Sequence, residues 1–432
     1  MRSVYNLLFA VTLIGGSAAA WLLPGLGAAS PAAATAPTAT ALRRQAIAFY
    51  ERRLNEDPRS ALDMAQLAAL VMEDGRRSGD ERAFVTAESL ARRSLDERTK
   101  KNGRSAALLV NALLAQHRFG EAHETARDLV AREPDEPAYR ALLAEVMMEV
   151  GDYASAIGQL GAVRKHREDL GIAPRFARWA ELTGQTGEAR RILRTARQAA
   201  AERADLMPEQ RAWFGLRLAD LELRHGNLRA ATEVIEGSLH DAPDDWRLLL
   251  ARARLELLKG SWRKAARSAE QVIAAVPSPD AFALLASVRR EQGNSTEAEA
   301  LELALEGIVQ GQAGTIHRSW ALTLLDRGRN VPEIIAVAAA DTLVRRDIHT
   351  LDLLAWALHR AGRSREALPL TRRAMSLGSV EPVLRYHAGV IELAAGDVAT
   401  GRQHLALALG RRRALTGEQV REIKRAIATT RN

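Results

Sequence analysis

From about Leu42 onward, apolar residues recur at intervals of three and four positions, in stretches that are separated by short polar turns. Residues at this spacing lie on one face of an α-helix, so each stretch predicts one amphipathic helix. Aromatic residues make up only 4% of the chain. The core must therefore consist mainly of alanine and leucine, which favours closely packed helices. The pattern predicts an all-α chain.

The turns that follow alternate helices are evenly spaced. They fall at His117, Gly151, Gly184, Gly226, Gly260, Gly293, Gly328, Gly362 and Gly396. Neighbouring turns are 33 to 35 residues apart, except for a step of 42 between Gly184 and Gly226. A constant period of this kind predicts a stack of equivalent two-helix units rather than two or three unrelated domains.

Small residues flank each turn at fixed distances. Seven positions before the turns stand Val110, Ala144, Ala177, Ala219, Ala253, Ala286, Ala321, Ala355 and Gly389. Five positions after them stand Ala122, Ala156, Ala189, Ala231, Ala265, Ala298, Glu333 (the exception), Ala367 and Gly401. Small side chains at both places allow the two helices of a unit to approach closely where they cross.

A unit of helix, glycine turn and helix, closed by proline at Pro134, Pro243 and Pro277, resembles the tetratricopeptide repeat, whose period is 34 residues. The resemblance extends over residues 42–415. It implies a right-handed α-solenoid of about nine to ten stacked helix-turn-helix repeats, in which the first helix of each unit lines the concave face. It also implies a protein that binds proteins or peptides.

Three departures from the period carry their own predictions. The long step before Gly226 predicts a lengthened second helix. Pro332 and Glu333 predict a short or displaced second helix in the unit that contains Gly328. Thr416 and Gln419 have the spacing of a capping box, which predicts that residues 416–432 form a helix capping the array.

Residues 1–29 have the layout of a secretory signal, with Arg2 as their only charge and an apolar run over residues 7–23. A signal peptide cleaved near Ala29 is expected, and the alternative is an uncleaved membrane anchor. Residues 30–41 are rich in Ala, Pro and Thr and predict a flexible linker. Both alternatives predict an exported chain in the periplasm or cell envelope.

Composition and motifs argue against an enzyme. The chain has no cysteine, which excludes disulfides and thiolate metal sites. It contains no P-loop, dinucleotide-binding, nucleophile-elbow or H-E-x-x-H string. We therefore expect no catalytic residues, no cofactor and no metal. The formal net charge of +8 is spread along the chain, with acidic residues interleaved among the basic ones, so a nucleic-acid partner is not expected.

The predicted concave face carries mixed chemistry. We expect Arg247 and Arg254, with Arg178 and Arg290 nearby, to bind carboxylates or backbone carbonyls of an extended peptide. We expect Trp213, Trp356 and Tyr386 to anchor its apolar side chains. The remaining candidates for partner binding on this face are Arg318, His349 and His359. The alternative is that these groups are ordinary exposed residues and that Trp356 packs within its own helix pair.

Together these features predict an exported scaffold that binds a partner protein or extended peptide, possibly acidic, in its concave groove. Assembly of a cell-envelope complex is the expected setting. Contact with the membrane is expected only through residues 7–23, if they are not removed. The alternative function is a nucleic-acid-binding or regulatory helical-repeat protein.

Overall fold

A computed structural model describes residues 39–310 and 318–429 of the chain. The predicted signal and nearly all of the predicted linker, which fall in residues 1–38, lie outside the described residues. The described residues form 22 α-helices and no strand. In chain order the helices are α1 Ala39–Glu56, α2 Ala61–Ser78, α3 Arg82–Glu97, α4 Gly103–Ala115, α5 Phe119–Arg132, α6 Pro137–Val150, α7 Tyr153–Ala162, α8 Ala173–Leu182, α9 Thr186–Ala201, α10 Pro208–Arg224, α11 Leu228–Asp241, α12 Trp246–Leu258, α13 Trp262–Ala275, α14 Pro279–Glu291, α15 Ser295–Gln310, α16 Arg318–Leu325, α17 Val331–Val344, α18 Ile348–Arg360, α19 Ser364–Ala374, α20 Pro382–Ala395, α21 Val398–Gly410 and α22 Gly417–Thr429.

Helices α2 to α21 form ten consecutive pairs, which we number units 1 to 10. In most units the two helices of the pair pack extensively on each other, and the second helix also packs on the first helix of the next unit. Unit 8 is an exception, because α17 packs mainly on α18 and only weakly on α16. Helix α1 precedes the array and α22 follows it. The predicted all-α solenoid of helix-turn-helix units is therefore confirmed.

The turn inside each unit requires a left-handed backbone. At Gly151 φ is 82°, and the backbone N–H of Gly151 closes the end of α6. Glycine suits this conformation because it has no Cβ to clash with the backbone. In unit 2 His117 adopts the same conformation, with φ of 58°, which explains how the period continues without a glycine there.

The small residues lie where the two helices of a unit cross. A Cβ atom on Gly389 would lie 2.6 Å from Leu405 and 2.8 Å from the carbonyl oxygen of Gly401. In units 3 and 5, Ala144 and Ala219 have no exposed area. The close crossing that the sequence predicts is therefore present.

Each of the three predicted departures from the period has a counterpart in the structure. Helix α9 has 16 residues, so the long step does lengthen a second helix. The hydroxyl of Thr416 and the side chain of Gln419 form the predicted reciprocal capping box before α22. Helix α17 has the full 14 residues and is therefore not short, but it packs mainly on α18 and only weakly on α16, which fits the predicted displacement. Pro332 stands in its first turn, where a backbone N–H has no helical partner in any case, so proline does not shorten the helix.

Successive turns of the solenoid contact one another, which the sequence did not predict. The glycine turns of units 1, 3, 4 and 5 each pack against a linker that follows 188 to 197 residues later. The four contacts are Gly79 with Val276, Gly151 with Arg346, Gly184 with Gly378 and Gly226 with Ala414. We call this set of contacts the inter-turn seam.

The seam defines the pitch of the superhelix. In every case the turn of one unit meets the linker that follows the fifth unit after it. One superhelical turn therefore takes about five and a half units, and the following turn lies directly on it. The apolar core also crosses the seam, since Leu182, Ile348 and Leu384 belong to the same buried cluster as the first three units.

Candidate partner-binding surface

The first helices form the inner side of the curve. Helix α2 packs on α4, α10 on α12, α14 on α16 and α18 on α20, so first helices of successive units touch directly. Within the described residues, second helices make no contact of comparable extent with one another. Elements on the inside of a curved array follow the shorter path and lie closer together. The inner face is therefore built from first helices, as the sequence predicts.

Most inner-face arginines are held by carboxylates of the chain itself. Arg224 binds the buried carboxylate of Glu181 through two hydrogen bonds of 2.7 and 3.0 Å. Burial of Glu181 would raise the pKa of its carboxyl group, but the charge of Arg224 overrides this effect and lowers it well below the ordinary value. The predicted candidate Arg318 binds Asp352 at 2.5 Å. Arg178 lies 3.9 Å from Glu149.

Two further predicted arginines are also occupied. Arg247 binds Asp245 at 2.7 Å, and Asp245 in turn caps the start of α12. Arg290 binds the buried carboxylate of Glu302 in α15 through two hydrogen bonds of 2.8 and 2.7 Å. Both guanidinium groups are therefore already paired with carboxylates of the chain.

Arg254 and Arg217 differ from the other inner-face arginines. Within the described residues neither guanidinium group has a hydrogen bond or an ion pair. Both are half-buried. Burial lowers the pKa of Arg254, and the nearby Arg224 lowers it further. The guanidinium group of Arg217 lies 6.0 Å from the ring centre of Trp213.

Arg217 and Arg254 come from neighbouring first helices, α10 and α12, and share electrostatic neighbours. The charge of Asp220 raises the pKa of both guanidinium groups, and the charge of Arg224 lowers it. The sequence predicted Arg254 as a partner-binding residue, whereas Arg217 was not predicted. Arg217 stands four positions after Trp213 on the same helical face, and this spacing could have identified it. We call Arg217 and Arg254 the central arginines.

The predicted aromatic anchors lie in the core. Trp356 and Tyr386 have no exposed area. The ring of Trp356 stacks on His387 with centroids 4.2 Å apart, and its N–H donates to Asp326 at 3.0 Å. The prediction that Trp356 and Tyr386 anchor a partner does not fit this placement, because a fully covered ring offers no contact surface. The alternative that Trp356 packs inside the array is the one observed.

The other aromatic and histidine candidates have partners within the chain. His359 stacks on Trp356, and its Nδ1 lies 2.9 Å from the hydroxyl of Ser364. His349 lies 3.1 Å from the carboxylate of Glu381. Trp213 is half-buried beside Phe214. Of these three, Trp213 lies next to the central arginines.

Helix α22 crosses the inner side of units 7 to 10. Glu418 binds Arg327, which follows α16, at 2.6 Å. Glu422 accepts hydrogen bonds from Arg360 of α18 at 3.4 Å and from the hydroxyl of Tyr386 at 2.7 Å. Arg421 lies 3.3 Å from Glu291 at the end of α14. The chain's own last helix thus occupies the part of the inner face where the aromatic anchors were predicted.

Known repeat families match this architecture. Tetratricopeptide repeat profiles match residues 80–146, 216–266 and 259–313. These ranges fall on helix pairs of units 1 to 3 and 5 to 7. The chain is a tetratricopeptide repeat (TPR) protein. As a TPR array, it is a protein-interaction scaffold.

One curated relative of this TPR protein is cellulose synthase operon protein C of Pseudomonas fluorescens (strain SBW25). The two chains are 27% identical over 252 residues, which is 56% of this chain and 19% of the relative. This TPR protein therefore matches only a small part of the relative's length.

Two solved structures can be compared with this chain. A tetratricopeptide repeat protein from Parabacteroides merdae ATCC 43184 is 16% identical, with a TM-score of 0.40 over 56% of this chain and 92% of that one. Human IFIT1, solved as a dimer with PPP-AAAA, is 16% identical, with a TM-score of 0.47 over 86% of this chain and 87% of that one.

Two further observations concern residues 39–310 and 318–429 alone. No helix there is long and apolar enough to cross a membrane. No three His, Asp or Glu side chains there are grouped so that they could hold a metal ion.

Proposed function

We propose that this TPR protein is an exported scaffold that binds an extended, carboxylate-bearing segment of a partner protein on the inner face of units 5 and 6. The central arginines carry this proposal. They are the half-buried inner-face guanidinium groups that lack a carboxylate partner within the described residues.

A partner carboxylate would compensate the charge of the central arginines. A guanidinium group that is partly removed from water and left unpaired loses hydration without gaining a hydrogen bond. A partner carboxylate would supply two parallel hydrogen bonds to its planar fork. Arg217 and Arg254 stand on adjacent first helices, so a polypeptide running from unit to unit would meet them in turn. Trp213 would then offer an apolar surface beside the first of these contacts.

The setting that we propose is assembly of a cell-envelope complex. Two observations support it. The relative named above belongs by its name to a cellulose synthase operon, and its matching segment covers 56% of this chain. The pattern of residues 1–29 is that of a secretory signal, which would export the array.

The test is recovery of partners from the native envelope by crosslinking and affinity purification of the tagged full-length chain. The informative variant is Arg217→Gln with Arg254→Gln. Arg229→Gln is the matched control, because Arg229 is an exposed arginine of α11 with a side chain 93% accessible. We expect a specific envelope protein with the wild type and the control, and at least a tenfold loss of it with the double variant.

Two results would overturn the proposal. Equal recovery by the double variant would move the binding surface away from units 5 and 6. Recovery of nucleic acid in place of a protein, with affinity that falls steeply as salt is raised, would favour the alternative function. Mass spectrometry of the N-terminus of the recovered chain tests export in the same experiment, since an N-terminus at Met1 in the cytoplasmic fraction contradicts it.

A further inference from the structure

Helix α22 combines two kinds of contact along one side. Glu418 and Glu422, four positions apart, face Arg327 and Arg360. Val420, Ile423 and Ile427, at intervals of three and four positions, pack on the apolar cluster of units 7 to 10. An acidic stripe therefore lies beside an aliphatic stripe, and the surface underneath is complementary to both.

The attachment of α22 to the array is limited. Ile423 is the one residue of α22 that is fully buried. The helix has 13 residues, and a helix of this length is marginal in water without packing. Its acidic contacts reach solvent, with side-chain accessibilities of 39% for Glu418 and 25% for Glu422. Ion pairs at such partly exposed positions weaken as salt is raised.

The linker before α22 is held independently of the helix. Ala414 and Leu415 are buried, and Ala414 packs against Gly226 across the inter-turn seam. Local opening of α22 would therefore pivot near Thr416 and leave the seam intact. The surface uncovered would be Tyr386 with its aromatic neighbours, bordered by the guanidinium groups of Arg327 and Arg360.

We propose that the inner face of units 7 to 10 is a binding surface for an amphipathic helix, and that α22 is its displaceable resident. The partner that fits is a helix with two carboxylates four residues apart, beside aliphatic residues at the spacing of Val420, Ile423 and Ile427. This surface is separate from the central arginines, and the inference goes beyond the function proposed above.

The test uses the full-length chain and needs no envelope partner. The variant Glu418→Gln with Glu422→Gln weakens the resident helix while keeping the size of both side chains. The matched control is Glu366→Gln, which removes an exposed ion pair with Arg363 on α19 and does not touch α22. Hydrogen exchange measured by mass spectrometry reports the opening of each helix.

We expect the amides of α22 to exchange about tenfold faster in the double variant than in the wild type or the control, because two charge-assisted contacts are weakened. Amides of α4 and α20 should keep their wild-type protection. Equal protection of α22 in all three proteins would overturn the proposal, as would a general loss of protection that includes α4.

A fluorescent synthetic peptide of residues 416–429 tests the vacated surface. The tethered helix competes at a high effective concentration, so we expect the peptide to bind the double variant and not the wild type or the control. A peptide with glutamine at positions 418 and 422 should bind at least fivefold more weakly than the native peptide, by the same loss of charge-assisted contacts. Failure of the native peptide to bind the double variant would overturn the proposal.

Discussion

The hydroxyl oxygen of Tyr153 accepts a hydrogen bond of 2.8 Å from the backbone N–H of Ile348, which lies 195 residues further along the chain. Tyr153 opens the second helix of unit 3, and Ile348 opens the first helix of unit 9. This hydrogen bond joins two successive turns of the superhelix. The seam therefore includes a specific polar contact, in which the Tyr153 hydroxyl satisfies the buried backbone N–H of Ile348.

Replacing Tyr153 by phenylalanine tests the energy of this contact. The N–H of Ile348, a residue that is 1% exposed, would lose its partner, at a cost of about 1–3 kcal/mol. We expect a lower urea midpoint and faster exchange of the Ile348 amide. Tyr50→Phe is the control, because the Tyr50 hydroxyl has no hydrogen bond within the described residues. An unchanged exchange rate for Ile348 in Tyr153→Phe would show that the seam opens freely.

Two glycines with the same backbone conformation allow the stability contributed by the seam to be distinguished from that contributed by the turn. Gly151 and Gly362 have φ of 82° and 79°. A Cβ on Gly151 would lie 2.5 Å from the carbonyl carbon of Arg346, whereas a Cβ on Gly362 meets nothing within 4 Å. Alanine at either position costs about 1–2 kcal/mol for the left-handed conformation.

We expect Gly151→Ala to be destabilised by about 1–3 kcal/mol more than Gly362→Ala, because only Gly151 requires the neighbouring superhelical turn to move. Small-angle X-ray scattering should show a larger radius of gyration for Gly151→Ala alone. Similar stability and size for the two variants would mean that successive turns do not touch in solution.

The local part of the fold was predictable because it follows from spacing within about 35 residues. The turns, the crossing residues and the capping box of Thr416 and Gln419 each depend on neighbours in the same unit. The period of 33 to 35 residues repeats them often enough to be recognised. Pro332 did not decide between a short and a displaced helix, because proline is tolerated in the first turn, and α17 keeps its length while packing only weakly on α16.

The long-range part was not predictable because the pitch of the superhelix depends on small rotations that add up over five units. No spacing in the sequence pairs Gly151 with Arg346. The candidate site was mispredicted for one local and one long-range reason. Arg247 was predicted to be available, but Asp245 two residues before it is both its ion-pair partner and a helix cap. Tyr386 was predicted to be exposed, but α22 folds back over it.

Two glycine-to-alanine substitutions should have opposite effects on stability, because only one of them lies at a close helix crossing, in unit 10. Glycine inside a helix is destabilising by about 1 kcal/mol relative to alanine, so Gly158→Ala in α7, where a Cβ meets nothing within 4 Å, should stabilise the chain. Gly389→Ala should instead destabilise it by about 1–3 kcal/mol, because its Cβ would lie 2.6 Å from Leu405. Urea unfolding of both variants decides the matter, and a gain in stability for Gly389→Ala would contradict the close crossing.

The histidine that stacks on Trp356 gives a pH dependence whose direction can be derived. Burial, together with Arg360 and His387, lowers the pKa of His359 to about 4. The unfolded chain returns this pKa to about 6.5, so between these two values the unfolded state binds more protons than the folded state. Stability from this source is complete above pH 6.5 and decreases as the pH falls towards 4, by an amount on the order of 2 kcal/mol.

The loss of stability that comes from His359 can be distinguished from the loss that comes from protonation of buried carboxylates. Burial would raise the pKa of Glu381, but His349 and neighbouring arginines lower it below the ordinary value. Its stabilisation is therefore lost only below about pH 4.5. Unfolding free energies should fall as the pH is lowered from 7.5 to 4.5 in the wild type and in the exposed-site control His240→Gln. They should fall less steeply in His359→Gln, where His123, whose pKa burial also lowers, still contributes. Parallel slopes in all three would show that His359 does not become neutral on folding, and would place the titrating group elsewhere in the array.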